Sequence, residues 1–132
     1  MIHPSLFLRR ALLADALVTG AVALLQTLGA GLLTPMLNLP RPLVLETGLF
    51  LIAYTALVGW LGTRQSTPKM LVSIVIAGNA AWSVGSIALM FSGAVTPNLL
   101  GYAFIALHAI STGVFAELQY IGLRKSGGAV TV

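Results

Sequence analysis

The sequence contains no cysteine. Disulfides, thiolate metal ligands and a cysteine nucleophile are thereby excluded. Charge is almost as scarce: 8% of the 132 residues are Asp, Glu, Lys or Arg, while 58% are hydrophobic. Soluble domains carry roughly a quarter charged residues. A chain this poor in polar side chains cannot coat a soluble globule, so it belongs to the membrane class as a single transmembrane domain over residues 1–132. The net charge of +4 would point to nucleic acid in a soluble protein. Here the basic residues sit at the ends of apolar segments, which is a signature of membrane topology and not of nucleic-acid binding.

Other absences narrow the chemistry. No glycine-rich phosphate loop is present. A single histidine, His108, lies within the apolar segments, which is too few for the two axial ligands of a b-type haem. With no thiolates and with the carboxylates at other depths, no metal site and no cofactor are expected. Ser111 is too near His108 in sequence, and on a different face from Glu117, to build a nucleophile–base–acid set. No catalytic residues are assigned, and the expectation is that the protein is not an enzyme.

What the chain does have is four apolar segments of membrane-spanning length, about 6–33, 42–62, 69–91 and 97–124. In the first, Arg9 and Arg10 come before the main apolar run, as in a signal peptide, but that run is about twice too long for a signal h-region and is expected to be a retained span. Ser5 is a candidate N-cap for the first segment and Pro42 suits the start of the second. Thr67-Pro68 and Thr96-Pro97 suggest cap-plus-proline starts for the third and fourth. Short connections at residues 36–41 and 92–96 make each pair an antiparallel hairpin. The predicted fold is all-α: an antiparallel four-transmembrane-helix bundle of two hairpins. Arg9, Arg10, Arg64, Lys69, Arg124 and Lys125 share one side and only Arg41 lies on the other, so both termini are expected to be cytoplasmic.

All three acidic residues, Asp15, Glu46 and Glu117, fall inside these segments. One reading makes them a proton or cation relay, because an intramembrane carboxylate is costly and usually functional. The other makes them interfacial ion pairs: Asp15 with Arg9 or Arg10, Glu46 with Arg41, and Glu117 with Arg124 or an arginine of the first span. In the second reading Asp15 and Glu117 lie one to two turns from the cytoplasmic ends.

His108 falls near the middle of its segment, with Thr112, Phe115 and Gln119 on the same helical face. Asn79, Ser83, Ser86 and Met90 repeat that spacing on the third segment, with Trp82 beside them. Asp15, Thr19, Val22 and Gln26 do so on the first, and Tyr54 lies at similar depth on the second. A polar seam of Gln26, Tyr54, Asn79, Trp82, Ser83, His108 and Thr112 is therefore expected at one level of the bundle. It either holds helices together through hydrogen bonds of about 0.6 kcal/mol each or lines a small binding cavity. Small residues at spacing four, such as Ala16 with Gly20, Ala77 with Ala81 and Gly85, and Ala109 with Gly113, suit close helix packing.

The segments FAELQYIGLRK (115–125), LRRALLADALVTG (8–20) and NAAWSVGS (79–86) resemble a group of small four-span bacterial integral inner-membrane proteins with no assigned activity. The resemblance implies a multi-pass protein of the bacterial inner membrane. Two functions are in competition. The first is a non-catalytic membrane module: an accessory subunit of a larger membrane complex, or a binder of membrane lipid or another apolar small molecule, acting alone or as a homo-oligomer. The second is a proton-coupled small-molecule exporter that uses Asp15 as its coupling carboxylate. The expected interface position of Asp15 and the strong charge bias count against the exporter.

Overall fold

In the computed structural model the backbone of residues 1–130 and the side chains of residues 1–126 are described. They form five helices: α1 (Leu6–Leu28), α2 (Ala30–Leu37), α3 (Arg41–Thr63), α4 (Lys69–Phe91) and α5 (Leu99–Val130). α1, α3, α4 and the 99–126 part of α5 are each long and apolar enough to cross a membrane, since roughly 20 apolar residues span the hydrocarbon layer. The chain is an integral membrane protein by this criterion, folded as an antiparallel bundle of four long helices.

The first apolar segment is not one helix. It breaks at Gly29, where φ is −101° and ψ 13°, and a Cβ would lie 2.6 Å from the Leu25 carbonyl oxygen. α2 then continues through Pro35 to a left-handed Asn38, whose φ is +53°. Asparagine tolerates that region better than most residues, and here its side chain is held by the Thr96 carbonyl. The reading from sequence ends this segment near residue 33, whereas α2 runs to Leu37.

The caps also differ from expectation in part. Ser5 does cap α1, accepting from the Leu8 amide at 3.1 Å. Thr67 does not cap α4. Its backbone pairs instead with Ile2, through Ile2 N to Thr67 O at 2.8 Å and Thr67 N to Ile2 O at 2.9 Å, and α4 starts directly after Pro68. At α5 the capping side chain is that of Asn98, not Thr96: Asn98 Oδ1 accepts from the Gly101 amide at 2.8 Å.

Packing runs α1 on α3 and α4 on α5, and α1 against α5 joins the two hairpins. Glycine permits the closest joints. A Cβ at Gly122 on α5 would lie 2.8 Å from the Leu8 Cα on α1, and one at Gly48 on α3 would lie 2.8 Å from the Gln26 Cβ. One apolar cluster, around Leu8, Leu12, Val58, Leu61, Val72 and Val75, fills the end of the bundle near the N-terminus. A second, around Leu33, Leu37, Val44, Val95 and Ile105, fills the α2 end. Between them, α3 and α4 are not drawn together in the same way, and a gap remains on that side.

Candidate functional site

The middle of the bundle holds a carboxylate. Asp15 is fully buried, the tenth of 23 residues in α1, which places it roughly 14 Å along the helix at 1.5 Å per residue. It is therefore near mid-depth and not at an interface; the interface position expected from sequence comes from counting depth from Arg10 and not from the helix start at Leu6. Its oxygens are surrounded by neutral donors from all four long helices. Thr19 Oγ1 donates to Oδ1 at 2.6 Å, while Tyr54 Oη (3.2 Å), Asn79 Nδ2 (2.9 Å) and Gln119 Nε2 (2.7 Å) donate to Oδ2. Asn79 Nδ2 also donates to Gln119 Oε1 at 2.9 Å, so the two amides are fixed relative to each other. Four donors converge on its two oxygens, an arrangement that suits a carboxylate acting as acceptor alone.

The expected ion pair is thus replaced by a neutral cage. Arg9 turns its Nε to the Gly62 carbonyl at 3.5 Å, and Arg10 is exposed. Arg64, Arg124 and Lys125 lie over the rings of Trp60, Tyr120 and Phe7 at 5.0, 5.9 and 4.5 Å. Such stacking suits amphipathic side chains at a membrane boundary. Glu46 and Glu117 are exposed on α3 and α5, outside the polar clusters. With α3 starting at Arg41, Glu46 lies in the second turn of the helix.

A second cluster lies toward the α2 end. Gln26 is buried and donates through Nε2 to the Val44 carbonyl (3.0 Å) and Thr47 Oγ1 (2.8 Å). Its Oε1 lies 2.8 Å from His108 Nε2, and Trp82 Nε1 lies 3.1 Å from His108 Nδ1. An indole nitrogen can only donate, so Nδ1 must accept and the proton must sit on Nε2. His108 is therefore a neutral Nε2–H tautomer that relays between Trp82 and Gln26. Phe104 meets its ring edge-on, with centroids 5.0 Å apart. Phe50 on α3 stacks on Trp82 of α4 at 5.5 Å, with the planes 3° apart.

Between the two clusters lies a cavity of about 480 Å³. Thr19, Tyr54 and Asn79 form its inner end, and Gln26, Thr47, Trp82, His108 and Thr112 its polar flank. Leu39, Leu43, Val44, Leu51, Leu89 and Ile105 supply most of the apolar wall. Phe50, Ala81 and Gly85 line it and are also exposed. The cavity therefore reaches the surface along the seam between α3 and α4, where the bundle faces lipid.

The sequence-derived seam is thus two clusters at different depths. Gln26, Tyr54, Asn79, Trp82, His108 and Thr112 all line the cavity, whereas Ser83 does not; it donates to the Ala109 carbonyl at 2.7 Å and joins α4 to α5. Asp15 stands immediately behind the wall. Thr47 and Phe50 line the cavity but were not singled out from sequence. Gln119, read there on the helical face of His108, does not line it and instead donates to Asp15.

No protein-family model, no curated protein and no solved structure matches this chain.

Proposed function

We propose that this is a non-catalytic membrane module that holds a lipid or another apolar small molecule in the cavity between its hairpins, alone or as an accessory subunit of a larger complex. The carrying observation is the 480 Å³ cavity itself, apolar along its walls, polar at its inner end and open toward lipid between α3 and α4. Ligand sites have this character: a few convergent polar groups in a mostly apolar concavity. A ligand dissolved in the bilayer would enter sideways past Phe50 and Trp82. The charge bias of the termini and the α3–α4 connection supports cytoplasmic termini, and the resemblance in sequence supports a bacterial inner membrane.

The test is native mass spectrometry of the protein released from its own membranes in mild detergent. Wild type is expected to retain a small molecule. Gly85→Leu is expected to lose it, because that position lines the cavity and has open space around its missing Cβ. Gly31→Leu, equally unhindered but outside the cavity, is expected to keep it. Wild type that carries nothing, or Gly85→Leu that still carries it, would sink the binding reading. A second protein released with the chain would support the accessory role.

A second reading draws on a different observation. Asp15 lies at mid-depth directly behind Tyr54 and Asn79 of the cavity wall, where a proton-coupled exporter would need its carboxylate. Reconstituted vesicles test it: substrate-dependent proton flux that vanishes in Asp15→Asn would establish export, and no flux in wild type would remove it.

A further inference from the structure

All but one of the cavity wall's side-chain hydrogen-bond donors are spent. Both Asn79 Nδ2 hydrogens go to Asp15 and Gln119, and the hydroxyls of Tyr54 and Thr19 go to Asp15. Both Gln26 Nε2 hydrogens go to Val44 O and Thr47 Oγ1. The indole N–H of Trp82 goes to His108, whose own N–H goes to Gln26. The hydroxyls of Thr47 and Thr112 go to the Leu43 and His108 carbonyls. Ser86 is the one lining side chain whose hydroxyl is uncommitted among the described residues.

What the inner end offers is acceptors. Asn79 is 2% exposed, and its Oδ1 takes no hydrogen bond among the described residues, so this is the atom it turns to the cavity. Tyr54 Oη and Thr19 Oγ1 keep lone pairs there too. Directly behind them sits the Asp15 carboxylate, whose hydrogen-bond partners are all neutral. In a low-dielectric interior a negative charge compensated only by dipoles acts over several ångströms. The rings of Phe50, Tyr54, Trp82 and Phe104 also line the cavity, and aromatic rings attract cations.

We infer that the cavity selects organic cations: molecules with an apolar body and a positively charged, preferably hydrogen-bond-donating head placed against Asn79 and Tyr54 in front of Asp15. The inference rests on the ligand-binding reading above and narrows it from apolar molecules in general to one charge class. An anionic or purely acceptor-bearing head would meet only lone pairs at the inner end. A neutral apolar molecule of the same shape would gain the walls without the charge term.

The experiment uses the full chain immobilised in mild detergent and saturable binding of tritiated benzyltrimethylammonium and, separately, of tritiated neopentylbenzene, its neutral carbon isostere. Unlabelled benzenesulfonate serves as competitor. The expected result is that the cation binds at least ten-fold more tightly than the isostere and that the sulfonate does not compete. Asp15→Asn should still bind the isostere but lose the ten-fold preference for the cation. Equal binding of cation and isostere to wild type, or a preference that survives Asp15→Asn, overturns the charge inference and leaves the cavity reading standing. Saturable binding of neither probe overturns both. If Asp15→Asn fails to fold, the comparison of the three probes on wild type still decides the charge preference.

Discussion

Asp15 on α1 accepts a 2.7 Å hydrogen bond from Gln119 on α5, 104 positions away in the chain. This contact ties the first long helix to the last at mid-depth, and Asn79 closes the triangle from α4. Gln119→Leu therefore removes a donor from a buried carboxylate and an acceptor from Asn79 at once. Hydrogen bonds between transmembrane helices average about 0.6 kcal/mol, but a buried polar group left short of a partner costs about 1–3 kcal/mol. The expected outcome is a loss in the upper range, read as a lower unfolding midpoint in detergent. Ser73→Ala, at an exposed hydroxyl bonded only to its own helix, should change little by the same assay. Equal midpoints for the two variants would refute the structural role given to this triangle.

The Trp82–His108–Gln26 relay makes a prediction about a proton. With Nδ1 accepting from the indole and Nε2 donating to Gln26, nitrogen NMR of labelled histidine should show His108 at neutral pH as the Nε2–H tautomer. Trp82→Phe keeps a ring against Phe50 but leaves Nδ1 without its donor. The histidine signals should then broaden or shift toward a mixture of tautomers, with stability falling by about 1 kcal/mol. An unchanged single tautomer would mean that the indole does not set it.

Much of this was legible in the sequence. The four long helices follow from unbroken apolar length, and the inward face of each follows from the 3.6-residue spacing that brings Asn79, His108 and Gln119 toward the bundle axis. Depth was less legible. Periodicity gives the direction of a side chain but not its height, so residues read as one seam separate into clusters at two levels. Asp15 was misplaced for the same reason, and its neutral cage was hidden because three of its four donors come from other helices. Caps were misread where a tertiary contact won: Thr67 is taken by Ile2, and Asn98 caps α5 because its side chain also donates to the Met36 carbonyl at 2.8 Å. The Phe50–Trp82 stack carries no sequence signal: Trp82 is read as part of the seam, but nothing marks Phe50, which looks like an ordinary lipid-facing aromatic, as its partner.

Close helix approach separates glycines that look alike in sequence. Gly122→Ala places a Cβ 2.8 Å from the Leu8 Cα, a backbone atom that cannot yield without moving α1. Overpacking of this kind costs about 1–3 kcal/mol. Gly85→Ala meets nothing within 4 Å and should gain a fraction of the roughly 1 kcal/mol by which alanine outranks glycine in a helix. Thermal unfolding in one detergent should thus move in opposite directions for the two variants. A Gly122→Ala protein as stable as wild type would mean that α1 and α5 are further apart than described.

The two loops at the α2 end bind each other through a pair of asparagines. Asn38 Nδ2 donates to the Thr96 carbonyl at 2.6 Å, and Asn98 Nδ2 donates to the Met36 carbonyl while its Oδ1 caps α5. Asn98→Ala removes the cap and one of the ties, and leaves those from Asn38 to Thr96 and from the Asn98 amide to the Leu37 carbonyl. Loss of a capping side chain alone costs about 0.5–2 kcal/mol, and the freed Met36 carbonyl adds to it unless water replaces the donor. Because the tie spans the two hairpins, its loss should also loosen the cavity above Phe104 and Ile105. The expected signature is faster hydrogen exchange at both loops together, from residues 36–40 and 96–101, with the Asp15 end unchanged. Exchange that rises only at 96–101 would show that Asn98 acts as a cap and that the hairpins are held by their packing alone.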